Sequence, residues 1–410
     1  FLHGADRGRA RSLRRMSMVF RRGRRPRRPV PIPPGKDLIF LKNTSRRLDY
    51  DLLRVLSMFA VIYLHTAAGA LREPQNVAVW QFSNVLTALA TAAVPIFFML
   101  SGSLLLSSEK TADLSYLLKK RLPKVLVPLL CWSALSIALV GLRGDWPTAL
   151  AKLPPLLNTP ALVPYWFVYA LIPLYLLSPM LKKMVDGLTE THWRYLLVLW
   201  FGLSLGLHTL RAFAPPAWEV VFTEHWTLNI NVVGGYLGYF LLGFYLEHHK
   251  PTPSRKLLWG AFAGLWALIA LGTWSTTAAT GAYDARFTDY LNVFTPLLAA
   301  VLFLLAKSYL GEKQGRGRVL PALAGLSFGV YLLHPMAITL LREVWIALFH
   351  NPVDTVPEQI LLYAAIALGC ILGVLIFSSI RPLCYPLTGQ GFSAACRESN
   401  LFALRPGKKH

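Results

Sequence analysis

Apolar residues are gathered into ten long blocks, at 50–70, 84–106, 122–142, 162–180, 192–210, 228–247, 257–279, 289–307, 321–341 and 359–380. Short polar or Pro/Gly-rich stretches separate them. Each block is close to the length a helix needs to cross the roughly 30 Å hydrocarbon layer of a bilayer. A helix bonds its backbone groups internally, which is the condition for residence in lipid. The pattern therefore predicts an all-α polytopic membrane protein with about ten transmembrane helices. Pro95 and Pro173 interrupt the second and fourth blocks. The connection at 143–161 has room for a re-entrant turn.

Composition agrees with this reading. The chain is 54% hydrophobic and only 15% charged, against about 25% charged in soluble domains. The net charge of +22 is a matter of topology. If the spans alternate, the basic clusters at 1–47, 110–124, 182–194, 250–256, 307–318 and beyond Arg381 all fall on one side. The other side holds only Arg72, Arg143, Lys152, Arg211, Arg286 and Arg342. Lys and Arg accumulate in cytoplasmic loops, so both termini are predicted to be cytoplasmic. Residues 1–47 are rich in Arg and Pro and carry no apolar period. They are expected to form a disordered cytoplasmic tail against anionic membrane lipids, with no nucleic-acid partner. Residues 48–382 are assigned to the ten-helix membrane domain and 383–410 to a short cytoplasmic C-terminal tail. The four cysteines show no metal-ligand spacing, and neither a metal nor a disulfide is expected.

Candidate chemistry begins in the first block, "RLDYDLLRVLSMFAVIYLHTAAG". Asp51, Arg54 and His65 sit in an otherwise apolar helix. At 100° per residue, the eleven positions from Arg54 to His65 leave them about 20° apart around the axis and roughly 16 Å apart along it. Asp51 lies on the same face. Ionisable groups at this depth face a bundle interior or a water-filled path and mark functional sites. The ninth block carries a second imidazole, His334, in "LSFGVYLLHPM". Counted from the same side, both histidines lie at similar depth. Pro335 has no N–H and frees a carbonyl one turn earlier. Ser101 and Gly102 fall late in the second block, Tyr165, Trp166 and Tyr169 at the outer end of the fourth, and Asn229, Asn231, Gly234 and Gly235 in the sixth. Tyr165 reads as part of an aromatic interface belt.

Four of these stretches resemble, in order, the motifs of one family. "LDYDLLRVLSMFAVIYLH" resembles the D-x-x-R-x(10)-H opening of the membrane acyltransferases called acyltransferase 3. "AVPIFFMLSGSLL", "YWFVYALIPLYLLSPML" and "LSFGVYLLHP" are similar to its later motifs, with Phe328 where the last usually has Tyr. The resemblance covers about residues 46–382 and is nearest the short single-domain kind. It implies transfer of an acyl group, most often acetyl from acetyl-CoA as donor, to a hydroxyl of an envelope glycan or lipid-linked sugar in the bacterial cytoplasmic (inner) membrane. Arg54 and His65 match the family's essential first-helix pair, and His334 its late-helix histidine.

The residues permit that reaction. Neutral His takes the proton of a hydroxyl near pH 7, so His65 is the expected base, with His334 beside it in the catalytic set. Arg54 suits the phosphates of an acyl-CoA, with Asp51 orienting it. Ser101 or a backbone N–H near Gly102 is a candidate to stabilise an oxyanion. The competing reading is a proton-coupled transporter or exporter using Asp51, Arg54 and His65 as a relay. The chain shows no internal repeat, which counts against it.

Overall fold

The lipid requirement for internal backbone bonding is met by a bundle of helices. The computed structural model describes residues 47–72, 76–222, 234–249, 253–311, 313, 317–350 and 353–404, and no β-strand occurs among them. The principal helices are α1 (Leu48–Arg72), α2 (Val77–Ala90), α3 (Ala93–Leu106), α4 (Pro123–Leu142), α5 (Trp166–Gly187), α6 (Glu190–Leu199) and α7 (Tyr236–His248). They continue with α8 (Arg255–Thr280), α9 (Phe294–Leu310), α10 (Val319–Phe349) and α11 (Val356–Ser379). Three short helices follow: α12 (Arg381–Thr388), α13 (Phe392–Glu398) and α14 (Leu401–Leu404). Every predicted block contains a helix. Among the described residues, eight helical stretches are long and apolar enough to cross a membrane. The remaining two blocks hold α9, of 17 residues, and α7, of 13. Asn229 and Asn231 lie outside the described residues, as does the predicted tail apart from Arg47. The protein is an all-α, multi-pass membrane protein. Its outward faces carry exposed Leu361, Leu368, Leu372 and Ile376, a stripe that suits lipid and would be unfavourable in water.

Local chemistry explains the breaks. The second crossing is one stretch, Val77–Leu106, divided at Thr91 and Ala92. Pro95 lacks the N–H that would bond the Thr91 carbonyl, and the Thr91 hydroxyl instead donates to the carbonyl of Thr288 at 2.8 Å. Asn76 starts α2 by accepting from the N–H groups of Ala78 and Val79. Thr355 and Glu358 start α11 with a reciprocal capping pair. In the 143–161 connection two short helical pieces, Trp146–Ala151 and Pro154–Leu157, take the place of a simple loop.

The tightest contact is between α3 and α7. A Cβ on Gly102 would fall 1.8 Å from the carbonyl oxygen of Phe240, and one on Gly243 would fall 2.0 Å from that of Met99. The two backbones touch at both places, the use to which small residues are put between membrane helices. Gly102, read from the sequence as an oxyanion donor, is thus a packing residue at its α-carbon.

Helix ends that alternation assigns to one side do lie together. Arg47, at the start of α1, pairs with Glu247 near the end of α7 and with Asp49. Tyr50 donates to the same Glu247 at 3.1 Å and meets the Ser103 hydroxyl. Lys307 near the end of α9 donates to the Leu246 carbonyl at 2.6 Å. At the opposite ends, Arg143 after α4 forms a two-pronged pair with Glu343 of α10, both bonds 2.7 Å.

Residues 383–404 are helical and packed. The Trp132 indole of α4 donates to the Leu387 carbonyl at 2.9 Å, and Asn400 donates to the Ser378 carbonyl at 3.2 Å. Cys384, Ser399 and Asn400 are fully buried. This segment closes over one end of α4, α10 and α11.

Gly102→Ala is expected to destabilise the detergent-solubilised protein by about 1–3 kcal/mol, the usual consequence of overpacking. Gly264→Ala, whose added Cβ meets nothing within 4 Å, should leave the thermal midpoint unchanged. Equal midpoints for the two variants would contradict the backbone contact.

Candidate active site

Two helices carry the histidines. His65 projects from the middle of α1 and His334 from the middle of α10, and their ring centroids are 5.2 Å apart, tilted by 36°. The equal depth expected from the sequence is what the bundle builds. His334 is 0% exposed, while His65 is partly exposed. His65 therefore points into the bundle, toward α10.

Pro335 explains how His334 is held. Its missing N–H leaves the Tyr331 carbonyl, four residues back, without its helical donor. His334 Nδ1 supplies one, at 2.5 Å. A carbonyl only accepts, so the proton of the neutral ring sits on Nδ1. Nε2 then presents a bare lone pair. That atom is buried and, among the described residues, has no hydrogen-bond partner. A buried acceptor without a donor is unfavourable by about 1–3 kcal/mol, and it is retained where a ligand or proton fills the gap.

The start of α5 braces this turn of α10. Tyr165 donates to the Leu332 carbonyl at 2.8 Å, and Tyr331 donates back to the Pro164 carbonyl. Tyr165 is fully buried, so its expected place in an interface belt is corrected. It is a brace inside the bundle, bonded to a carbonyl two residues before His334 on α10. Trp166 stacks at 5.5 Å on Tyr290 and lies 5.2 Å from Tyr236.

The other end of the α1 stripe is polar and cationic. Asp51 is 2% exposed and Arg54 is half-buried. Tyr175 of α5 lies beside Ser101 of α3, within electrostatic reach of both Arg54 and Arg121. Arg121 was not singled out in the sequence, where it closes the basic run "KKR" and looks like an interface anchor. It ends the π-helical turn Leu117–Arg121, and such one-turn bulges often re-aim functional side chains. Its guanidinium lies 5.4 Å from the centre of the Tyr116 ring, and its Nε is buried without a partner among the described residues. Four elements thus bring Arg54, Ser101, Arg121 and Tyr175 together. The histidine pair lies eleven residues further along α1, about 16 Å at 1.5 Å per residue.

The arrangement is a membrane helix bundle with an anion-attracting end and an imidazole pair deeper in. The chain belongs to the acyltransferase 3 family: the family model, described as an acyltransferase domain, matches residues 47–378. The protein is therefore a membrane acyltransferase. No curated protein and no solved structure matches it.

Tyr165→Phe removes the donor to the Leu332 carbonyl and is expected to lower stability by about 0.6 kcal/mol, and by no more than about 1.7, the range for hydrogen bonds between membrane helices. Thermal unfolding in detergent reads this. A midpoint equal to that of the unaltered protein would show that the brace does not stabilise the fold.

Proposed function

We propose that the protein moves an acetyl group from acetyl-CoA to a hydroxyl of an envelope glycan or lipid-linked sugar. It acts in the bacterial cytoplasmic membrane, with both termini inside the cell. The observation that supports this reading best is the pairing of His65 with His334 at one end of a helix face whose other end carries Arg54, with Arg121 of a neighbouring element near it.

Coenzyme A is polyanionic at its nucleotide end and carries its thioester on a long flexible arm. Guanidinium groups suit the phosphates, through paired N–H donors and a charge that persists at any physiological pH. Arg54 and Arg121 hold that end. The arm then runs along α1 and delivers the thioester to the imidazoles.

At the thioester, the acceptor hydroxyl gives its proton to a His65 ring nitrogen while its oxygen bonds to the acyl carbon. His65 becomes an imidazolium. The Nε2 lone pair of His334, left bare by the bond from Nδ1 to Tyr331, accepts the second N–H of that imidazolium and steadies its charge. When the tetrahedral adduct collapses, the C–S bond breaks and the departing thiolate takes the proton from His65. The ester and free coenzyme A remain, and both histidines return to their neutral forms. Ser101 and Tyr175, in the low-dielectric interior, are the side-chain donors available to the donor's polar groups.

His65→Ala should reduce kcat with labelled acetyl-CoA by about 10²–10⁴-fold, the usual contribution of a positioned base. Transfer at the unaltered rate by folded His65→Ala protein would remove the base from the mechanism. Arg121→Gln should raise KM for acetyl-CoA about tenfold, the loss of roughly 1.4 kcal/mol of binding, with kcat retained. An unchanged KM would detach Arg121 from the donor.

A further inference from the structure

On the far side of the histidine pair from Arg54, the ends of α1, α2, α10 and α11 enclose a cavity of about 220 Å³. This is below the 300–1,000 Å³ of pockets for drug-sized molecules and suits a single sugar ring. Thr66, Gly69, Asn76, Arg342, Trp345 and Gln359 are among its lining residues. Thr66 follows His65 directly, and Gly69 is one turn further, about 6 Å along α1. The cavity thus opens next to the proposed base and away from the donor's cations.

Its polar groups are mostly already engaged, and the exceptions are informative. Asn76 is committed to the helix start and to the Asp354 carbonyl. Gln359 is 3% exposed and bonded to Ser83. Arg342 donates one Nη2 bond, 3.0 Å, to the Thr66 carbonyl, and among the described residues no carboxylate pairs with it. Gly69 leaves the space it fills, since a Cβ there would sit 3.1 Å from Nη2. The Trp345 indole Nε1 is buried and, among the described residues, has no acceptor. Asp354, exposed at the rim, is the one carboxylate on the lining among the described residues. The unfilled groups inside are therefore a guanidinium and an N–H, both donors, beside an indole face. An occupant that satisfies them brings oxygen acceptors with negative charge, on a ring that can lie against an aromatic surface.

We infer that this cavity is the acceptor's sugar subsite and that it takes a pyranose bearing an oxyanion, a uronic acid or a sugar phosphate, with Arg342 and the Trp345 N–H on the charged group. The inference rests on the acyltransferase reading for the acceptor role and on the cavity alone for the chemistry. Arg342 is a specificity residue here, acting on a part of the acceptor remote from the reacting hydroxyl.

The experiment uses the full chain in detergent. Intrinsic fluorescence of the unaltered protein and of Trp345→Phe isolates the signal of that indole. Each is titrated with glucuronate, glucose 1-phosphate, glucose and glycerol 3-phosphate, and acetyl-CoA binding is measured on the same preparations. The expected result is quenching by glucuronate or glucose 1-phosphate at concentrations at least tenfold below those for glucose. That preference should be lost in Arg342→Gln and largely kept in Arg342→Lys, and the signal should vanish in Trp345→Phe. Equal half-saturation by glucose and the charged sugars, or no response to any, overturns the inference. Glycerol 3-phosphate binding as well as the sugars do would also overturn it, by making the site one for lipid headgroups. Failure of acetyl-CoA to bind, with the sugar preference intact, would instead count against the transferase reading.

Discussion

Hydrocarbon gives an imidazole nothing to bond with, so two of them can persist in mid-membrane only if the bundle itself supplies partners. That requirement organises this structure. Pro335 leaves the Tyr331 carbonyl free, and His334 takes it. Tyr165 then occupies the next carbonyl, that of Leu332. The chain breaks one helical bond and reuses its fragments to fix a ring and its tautomer. What is left over is the buried Nε2 lone pair of a ring whose centre lies 5.2 Å from that of His65.

α1 is the spine of the account because it touches both ends of the reaction path. Its first turns are clamped by the Arg47, Tyr50 and Glu247 network, and its last turns wall the cavity under Arg342. Between them runs one face with Arg54 and His65. A donor entering among cations and an acceptor entering beside Thr66 and Gly69 would meet at the same imidazole from opposite directions. Direct transfer then needs no large rearrangement, because the helix already spans the distance. The close α3–α7 contact at Gly102 and Gly243 fixes the part of α3 that carries Ser101.

Much of the fold was legible because lipid imposes a simple code. Length, hydropathy and basic asymmetry located a helix in each of ten blocks, and the 100° repeat placed Arg54 and His65 on one face. Three features were not legible. The packed helices after Arg381 are too short and too polar to register as spans, and their burial depends on contacts with Trp132, Gly325 and Ser378 that are remote in sequence. Tyr165 sits where a belt residue would, and only the neighbouring α10 carbonyl reveals its role. Arg121 belongs to a basic run at a helix entrance, a pattern that topology alone explains; the π-helical turn that redirects it has no signature in composition. The signal for it in the sequence is the Pro two residues on, Pro123, since the chain must adjust its hydrogen bonding just before it. For the site itself, the family motifs and the intramembrane charges pointed to Arg54, His65 and His334. Their mutual geometry, and the freed carbonyl that fixes His334, came from the bundle.

The central claim is that His65 is the reachable member of the pair and lies on the donor's path, while His334 is sealed behind it. Diethyl pyrocarbonate labelling of the purified full-length protein, mapped residue by residue by mass spectrometry, addresses this directly. The account predicts that His65 is carbethoxylated in the free protein, is shielded by saturating acetyl-CoA, and that His334 stays unlabelled throughout. Labelling of His65 that is indifferent to acetyl-CoA, or a His65 that never reacts, would contradict it.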